Sequence, residues 1–199
     1  MSIIVGIGGG TASGKTTVSR ELCTALGSRA VLILHDRYYR SLSTGEDPAT
    51  HNYDHPDALE TSLLVEHLAS LRAGTSACLP RYSFERHRRE AGFDQVEQRP
   101  IILVEGILVL ADPALRACLD HTVFVHAPSD IRLMRRLRRD VAERGRDAMG
   151  ILQRYERTVR PMHERFVEPS RAFAEVVLDG TQDVQLSVKR MLRLMGETV

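Results

Sequence analysis

Short apolar runs alternate along the chain with longer segments in which apolar residues recur every three or four positions. The runs predict strands at residues 3–7, 30–34, 101–104, 122–125 and 176–178. The periodic segments predict helices at residues 15–26, 57–71, 112–119, 129–144 and 183–195. This alternation predicts an α/β fold, a parallel sheet flanked by helices on both sides. Ligands of such sheets bind at the carboxyl ends of the strands, so the residues that follow each strand are the first candidates for function.

The first predicted strand leads into a glycine-rich segment that fits the phosphate-binding loop pattern GxxxxGK[ST]. Glycines let the backbone curl so that its N–H groups point at phosphate oxygens. Lys15 adds a positive charge near the terminal phosphates, and the Thr16 hydroxyl is a ligand for Mg²⁺. The alternative is a glycine-rich turn that precedes a lysine by chance, but the flanking strand and amphipathic segment favour the phosphate loop. We therefore predict a nucleoside triphosphate site at Gly9, Gly10, Thr11, Ala12, Ser13, Gly14, Lys15, Thr16 and Thr17.

Carboxylates follow the second and third predicted core strands. Asp36 comes just after the second strand, where a carboxylate can accept a proton from an attacking hydroxyl or bind Mg²⁺ through water. Glu105 follows the third strand, at the position where phosphate-loop proteins hold magnesium, usually through an aspartate. The alternative for both residues is ordinary capping of a turn or strand end. The carboxyl-end rule favours Asp36 as a catalytic residue and Glu105, with Thr16, as a metal ligand.

Residues 77–98 carry the pattern Pro80-x-Tyr82-x-Phe84-x-x-His87. Tyr82 and Phe84, two positions apart, would lie on one side of an extended strand, with His87 at its end. A small β-ribbon that presents two aromatic rings and a histidine can hold a planar base by stacking and hydrogen bonding. From these residues alone, ordinary hairpin packing is the favoured interpretation.

Arginines are concentrated between residues 129 and 146. A basic run of this kind is usually a solvated helix face or a nucleic-acid patch. The end of this run, Glu143-Arg144-Gly145-Arg146, instead indicates a helix followed by a glycine hinge, which can swing guanidinium groups over a polyphosphate. We therefore expect a lid at about residues 130–160. Only Lys15 and Lys189 are lysines, so this arginine-rich chain retains lysine in the phosphate loop, where a compact ammonium group is needed.

Composition narrows the class of protein. A chain of 199 residues fits a single domain, 1–199, and its net charge of +1 gives no support for nucleic-acid or membrane partners. No apolar run is long enough to span a bilayer, and the first ten residues lack the charged start of a signal peptide. The three cysteines have no metal-ligand spacing, and their odd number is typical of reduced thiols. We therefore expect a cytoplasmic protein.

With these motifs assembled, the chain resembles the uridine kinase (uridine–cytidine kinase) family. The resemblance extends from about Ile3 to Leu178 and rests on motifs in family order: GGGTASGKTT, Asp36-x-x-Tyr39, NYDHPDA, Pro80-x-Tyr82-x-Phe84-x-x-His87, EGIL, RRDVAERGR and TVRPM. It implies transfer of the γ-phosphoryl group of ATP or GTP, with Mg²⁺, to the 5′-hydroxyl of uridine or cytidine in pyrimidine salvage. It also implies a homotetramer.

The same resemblance implies roles for individual residues. Asp36, near Tyr39, would be the general base, and Asp54 would hold the ribose hydroxyls. Arg146 would lie near ribose and phosphate, and Arg136 and Arg139 would belong to the lid. Tyr82, Phe84 and His87 would frame the pyrimidine.

One position departs from the family pattern. The family usually has a nucleoside-contacting glutamine just before the tyrosine at Tyr155, whereas this chain has Arg154 there and Gln153 one position earlier. Either Arg154 takes over the contact or the substrate site has changed.

Two other functions stay open. The first is a related phosphate-loop kinase for another acceptor, as in phosphoribulokinase or pantothenate kinase. The second is a nucleotide-dependent switch or nucleic-acid-binding module. The guanine-reading NKxD motif is absent, because Asn52 is the only asparagine and Tyr53 follows it.

Overall fold

A five-stranded parallel sheet forms the centre of the computed structural model, which describes residues 2–197. Its strand order is β2-β5-β1-β6-β7, and a separate antiparallel pair is formed by β3 and β4. The strands are β1 (Ile3–Gly9), β2 (Ala30–Leu34), β3 (Ala77–Ser83), β4 (Arg88–Val96), β5 (Ile101–Glu105), β6 (His121–His126) and β7 (Val176–Asp179). All five predicted core strands form, and the predicted α/β fold is confirmed.

Helices cover both faces of the sheet. They are α1 (Lys15–Leu26), α2 (Thr61–Arg72), α3 (Pro113–Arg116), α4 (Ser129–Ala142), α5 (Ala148–Arg154), α6 (Arg160–Met162), α7 (Glu168–Ser170) and α8 (Val184–Leu194). A π-helical segment at Tyr155–Val159 joins α5 to α6, and another at His163–Val167 joins α6 to α7. Among the described residues, no helix is long and apolar enough to cross a membrane.

The core divides into two layers because every central strand is buried on both faces. On one face Ile4, Ile102 and Phe124 pack with residues of α2 and α3. On the other face Val5, Leu103, Val123 and Val125 pack with α1 and α8, whose Leu22 and Met191 are fully buried. Burial on both faces explains the continuous apolar runs that the sequence shows for these strands.

Two predicted helices differ most from the structure in their bounds, and those predicted at 129–144 and 183–195 are each slightly shorter, as α4 and α8. The helix predicted at 57–71 begins only at Thr61, because Pro56–Ala58 forms a separate 3₁₀ turn in which His55 Nδ1 accepts a hydrogen bond from the Asp57 N–H. The helix predicted at 112–119 is the short α3, since its end tightens into turns from Cys118 N–H to the Leu115 carbonyl and from Leu119 N–H to the Arg116 carbonyl.

The β3–β4 hairpin is fixed against the segment that follows β2. Arg37 Nε donates to the Pro80 carbonyl at 2.9 Å and Arg37 also pairs with Asp94. From the hairpin, Arg89 donates to the Tyr38 and Tyr39 carbonyls at 3.1 Å each. These contacts hold the hairpin beside the carboxyl ends of the sheet, where the candidate site lies.

Candidate active site

The phosphate-loop segment folds as a tight turn between β1 and α1. Gly9 has φ +142°, Ala12 has φ +59° and Gly14 has φ +102°, and at Gly9 and Gly14 this left-handed backbone favours glycine. The Ser13 N–H donates to the Gly10 carbonyl at 3.1 Å. Gly180 packs so tightly against the Ser13 carbonyl that a Cβ there would collide with it. The loop is therefore supported from the turn after β7 as well as by its own backbone.

Lys15 and Thr16 both contact one carboxylate, Glu105. Lys15 Nζ lies 3.3 Å from Glu105 Oε1, and Thr16 Oγ1 donates to Glu105 Oε2 at 3.1 Å. The register explains this meeting, since Ile7 of β1 pairs with Glu105 at the end of β5. A hydroxyl and a carboxylate are the hard oxygen ligands that Mg²⁺ prefers, and Mg²⁺ sites typically use one or two protein ligands plus substrate phosphates. The residues therefore fit a magnesium ion that arrives with a nucleotide. The described residues contain no cluster of three or more histidine, cysteine or acidic ligands that would hold a metal alone.

Asp36 lies between the phosphate-loop groups Lys15 and Glu105 on one side and Asp54 on the other. Leu34 at the end of β2 pairs with Glu105, and this register brings the 3₁₀ turn His35–Tyr38 beside the phosphate loop. Burial raises the pKa of Asp36 to about 6, with a further contribution from the negative charges of Glu105 and Asp54 and an opposing one from Lys15. A carboxylate with this pKa is ionised near neutral pH and basic enough to take up a proton.

One cavity of about 710 Å³ joins these groups. At its phosphate-loop end it is lined by Thr11, Ala12, Gly14, Lys15, Thr16, Thr17 and Glu105. At its aromatic end it is lined by Tyr39, His51, Tyr53, Asp54, Tyr82, Phe84 and His87, and arginines border both ends. Three residues of the predicted loop, Gly9, Gly10 and Ser13, are buried behind its cavity-facing surface.

Aromatic rings form a continuous wall at the aromatic end. The ring centroids of Tyr39 and Tyr82 are 5.4 Å apart, those of Tyr82 and Phe84 are 5.2 Å apart, and those of Tyr53 and His87 are 5.2 Å apart. Burial, with the positive charges of Arg146 and Arg154, lowers the pKa of His87, which is therefore a neutral imidazole at physiological pH. A neutral imidazole both donates and accepts hydrogen bonds.

Asp54 completes the aromatic end with a carboxylate. Its N–H is held by the side chain of Asn52 at 3.2 Å. Burial raises the pKa of Asp54, and the positive charges of Arg136 and Arg154 oppose this effect. A carboxylate among aromatic rings provides acceptors for hydroxyl groups of a ligand.

The arginines of α4 and of the turn after it border the cavity. Arg136 Nη1 donates to Thr11 Oγ1 at 3.1 Å, which ties α4 to the phosphate loop. Arg139, Arg144 and Arg146 also line the cavity. Gly145 has φ +60°, and this left-handed turn directs the chain back towards α4.

The guanidinium group of Arg154 makes its hydrogen bonds mainly to the loop at residues 43–55. Its Nη2 donates to the Pro48 carbonyl at 2.7 Å and to the Ala49 carbonyl at 3.0 Å, and its guanidinium lies 5.8 Å from the centre of the Tyr53 ring. Arg157 Nη2 donates to the same Ala49 carbonyl at 2.6 Å. Arg154 nevertheless lines the cavity, whereas Arg157 does not.

The cavity brings together every predicted binding or catalytic side chain outside the phosphate loop. Sequence reasoning missed His51 and Tyr53 as members of the site, and it named Arg144 only as part of the expected lid. Tyr53 lies in the NYDHPDA motif, so its position beside Asp54 was a usable signal. His51 lies in a loop without periodicity, and nothing in the sequence placed it at the site.

The sequence is similar to one protein family and to several proteins named uridine kinase. The model of the phosphoribulokinase / uridine kinase family matches residues 4–187. A uridine kinase from Chloroflexus aurantiacus is 46% identical, covering 89% of this chain and 87% of its own length. A uridine kinase from Halobacterium salinarum is 43% identical, covering 94% of this chain and 84% of its own length.

The fold recurs in solved structures of low sequence identity. Phosphoribulokinase from Rhodobacter spheroides aligns with a TM-score of 0.64 at 14% identity, covering 91% of this chain and 73% of that chain. D-glycerate 3-kinase from Cryptococcus neoformans aligns with a TM-score of 0.69 at 15% identity, covering 92% of this chain and 87% of that chain. At these identities the likeness concerns the fold alone.

Proposed function

The chain belongs to the phosphoribulokinase / uridine kinase family, and from this premise we propose that it transfers the γ-phosphoryl group of ATP or GTP to the 5′-hydroxyl of uridine or cytidine. The observation that carries the proposal is one continuous cavity, with a phosphate loop at one end, an aromatic wall at the other and Asp36 between them. Phosphoryl transfer requires mainly that two substrates are positioned and that charge is neutralised.

In this proposal the phosphate-loop end binds the nucleoside triphosphate. The backbone from Gly9 to Thr17 surrounds the phosphates, and Lys15 neutralises charge on the terminal ones. Thr16 and Glu105 would hold Mg²⁺, which would supply positive charge against the charge that develops on the phosphates during transfer. Glu105 now accepts from Thr16 and pairs with Lys15, so these contacts would be exchanged for contacts to the nucleotide.

The aromatic end binds the nucleoside. Tyr82 and Phe84 would stack against the pyrimidine, and His87 would hydrogen-bond to its exocyclic edge. A neutral imidazole donates to the O4 of uridine or accepts from the N4 of cytidine, depending on its tautomer, which supports activity on both. Asp54 would accept hydrogen bonds from the ribose hydroxyls, while Tyr39, Arg136, Arg146 and Arg154 complete the enclosure.

Asp36 is the proposed general base. It takes the proton of the 5′-hydroxyl as that oxygen forms its bond to the γ-phosphorus, and the bond from that phosphorus to the bridging oxygen of the nucleoside diphosphate breaks. Arg136, Arg139, Arg144 and Arg146 surround the transferred group with positive charge and exclude water. The products are a nucleoside 5′-monophosphate and a nucleoside diphosphate.

An acceptor panel tests this proposal. Release of nucleoside diphosphate is measured with ATP·Mg²⁺ or GTP·Mg²⁺ against uridine, cytidine, thymidine, adenosine, ribulose 5-phosphate and pantothenate. We expect turnover with uridine, cytidine or both, and with none of the other four. Turnover with ribulose 5-phosphate or pantothenate alone would contradict the nucleoside assignment while leaving the triphosphate site intact.

We also propose a homo-oligomer, with the tetramer that the family resemblance implies. Light scattering coupled to size-exclusion chromatography measures the mass directly. A mass of one 22.3 kDa chain would contradict this proposal.

A further inference from the structure

Asp140 is a buried carboxylate outside the cavity. It lies near the end of α4, its exposed fraction is 0%, and it is not among the residues that line the cavity. Burial of an ionised carboxylate is unfavourable unless charged partners compensate. The position therefore requires an explanation from the groups around it.

Four arginines surround Asp140, and we call these five residues the Asp140 cluster. Arg139 Nε lies 2.8 Å from Oδ1 and Arg144 Nη1 lies 3.2 Å from the same oxygen. Arg146 Nη1 lies 3.4 Å from Oδ2, and Arg136 Nε lies 3.8 Å from it. All four arginines line the cavity, so a residue outside the cavity contacts four of its bordering arginines.

The Asp140 cluster depends on a reversal of the chain. The Arg146 N–H donates to the Asp140 carbonyl at 3.0 Å, and Gly145 supplies the left-handed turn between them. Arg146 is thereby folded back towards Arg136 and Arg139 on α4, whereas Arg144, which precedes the turn, meets Asp140 from four positions further along the chain. Without a shared counter-ion, four guanidinium groups gathered in this way would repel one another.

Burial alone would raise the pKa of Asp140, but the hydrogen bond from Arg139 and the charges of Arg139, Arg144 and Arg136 hold it below its ordinary value. Asp140 therefore stays ionised at physiological pH. One negative charge against four positive ones leaves the cluster strongly cationic, as a polyphosphate site requires.

The Asp140 cluster also connects the two ends of the cavity. Arg136 donates to Thr11 of the phosphate loop at 3.1 Å, and its charge acts on Asp54 at the aromatic end. The charge of Arg144 acts on Asp36. The arginines that Asp140 contacts therefore adjoin the phosphate loop, Asp36 and Asp54.

We propose that Asp140 is a positioning residue that holds Arg136, Arg139, Arg144 and Arg146 in one convergent array around the group being transferred. This inference rests on the proposed function, because it assigns the array to phosphoryl transfer. Asp140 contacts no substrate. It fixes the directions of the guanidinium groups before the nucleotide arrives. Its negative charge also offsets part of the positive charge of the arginines, which would otherwise bind the polyphosphate in no fixed orientation.

The test is Asp140→Asn, which keeps the shape of the side chain and removes its charge. We expect kcat to fall by about fivefold to a hundredfold, since small misplacements of catalytic groups have effects of that order. The Kd for Mg²⁺-bound inorganic tripolyphosphate, measured by calorimetry, should stay equal or become tighter, because the cavity gains net positive charge. This split between turnover and anion binding is not expected of a merely structural aspartate.

Asp120→Asn is the matched control. The Asp120 carboxylate likewise pairs with an arginine, Arg72 at 2.7 Å, and accepts from the Ile4 backbone N–H at 2.8 Å, but Asp120 does not line the cavity. This variant should lower Tm and leave kcat and tripolyphosphate binding unchanged. If Asp140→Asn lowers kcat by less than about fivefold, or weakens tripolyphosphate binding in parallel with a loss of Tm, the positioning role is wrong.

A second variant keeps the proposal testable if Asp140→Asn does not fold. The double variant Asp140→Asn with Arg144→Gln removes one charge of each sign, so it relieves the repulsion and should fold. In it kcat should be lower than in Arg144→Gln alone, and equal kcat values would overturn the proposal. Tripolyphosphate binding needs no acceptor molecule, so it can be measured independently of the phosphoryl transfer. If the wild-type protein binds this anion but phosphorylates neither uridine nor cytidine, the proposed function is wrong, while the role of the Asp140 cluster in anion binding is unaffected.

Discussion

At the phosphate-loop end of the cavity, the functional groups lie at or shortly after the ends of neighbouring strands, whereas the aromatic end is assembled from segments of different parts of the chain. Lys15, Thr16 and Glu105 meet because β1 and β5 are hydrogen-bonded partners in the sheet. Asp54, Tyr82, His87 and Arg154 come from a loop, a strand, a hairpin turn and a helix, and side-chain contacts hold these segments together.

Because the two ends of the cavity are held together in different ways, we expect them to respond differently to mutation. The backbone of the sheet fixes the phosphate-loop end, so a side-chain change there removes chemistry and leaves the geometry. The aromatic end depends on contacts such as Arg154 to the Pro48 carbonyl, so changes there shift the geometry and therefore affinity and selectivity. We expect large effects on kcat near the phosphate loop and smaller effects on KM near the aromatic wall.

Asp36→Asn should have the largest effect, because Asp36 joins the two ends. Removal of a general base lowers kcat by about 10²- to 10⁴-fold, and calorimetry should show that nucleotide binding is nearly intact. Asp57→Asn, an exposed carboxylate on the next 3₁₀ turn, is the control and should behave as wild type. Near-normal turnover of Asp36→Asn would remove Asp36 as the base.

Lys15→Arg tests the phosphate-loop end at constant charge. The planar guanidinium is larger than the ammonium group that now lies 3.3 Å from Glu105, and it cannot occupy the same space in the loop. Loss of one preorganised electrostatic contact lowers kcat by roughly 10²- to 10³-fold. Lys189→Arg is the control, since Lys189 lies on α8 away from the cavity. Activity of Lys15→Arg close to that of wild type would show that charge alone suffices at this position.

Tyr82→Ala tests the aromatic wall. Stacking of a base on an aromatic side chain contributes about 1–3 kcal/mol, so KM for the nucleoside should rise by roughly fivefold to a hundredfold. Values of KM for ATP should not change, because Tyr82 lies at the far end of the cavity. Phe93→Ala on the same hairpin is the control, since Phe93 is exposed and does not line the cavity. A rise in KM for ATP alone would place the nucleoside elsewhere.

Arg154→Gln tests the departure from the family pattern and should have the smallest effect. Release of the Pro48 and Ala49 carbonyls loosens the loop, and we expect KM for the nucleoside to rise by only about two- to fivefold. Arg157→Gln is the matched control, because Arg157 holds the same Ala49 carbonyl without lining the cavity. If both variants change KM equally, Arg154 acts as a loop tether. If Arg154→Gln alone changes the ratio of uridine to cytidine turnover, it contacts the base.

The phosphate-loop end was largely predictable, because its information is local. The motif around Lys15 and the carboxyl-end rule for Glu105 and Asp36 need only strand assignments, and those strands are confirmed. The assignments follow from apolar runs that burial on both faces of the sheet requires.

The rest of the site depends on contacts between segments that no local pattern specifies. Tyr53 and His51 reach the cavity on a loop whose Ala49 carbonyl accepts hydrogen bonds from Arg154 and Arg157. Asp140 lies within an arginine run, and its contact with Arg146 arises only when the chain turns back towards α4 at Gly145. Such contacts follow from the tertiary fold.

The pH dependence of kcat/KM for the nucleoside tests whether Asp36 accepts the proton of the acceptor hydroxyl. The pKa of Asp36 is raised to about 6, so the base is ionised above that pH and protonated below it. We expect kcat/KM to be half-maximal near pH 6, to approach a plateau above that pH and to approach a fall of about tenfold per pH unit below it. Burial lowers the pKa of both His35 and His163 to about 4, so neither explains such a limb. The limb should be absent from the residual activity of Asp36→Asn. An identical limb in that variant would contradict the account.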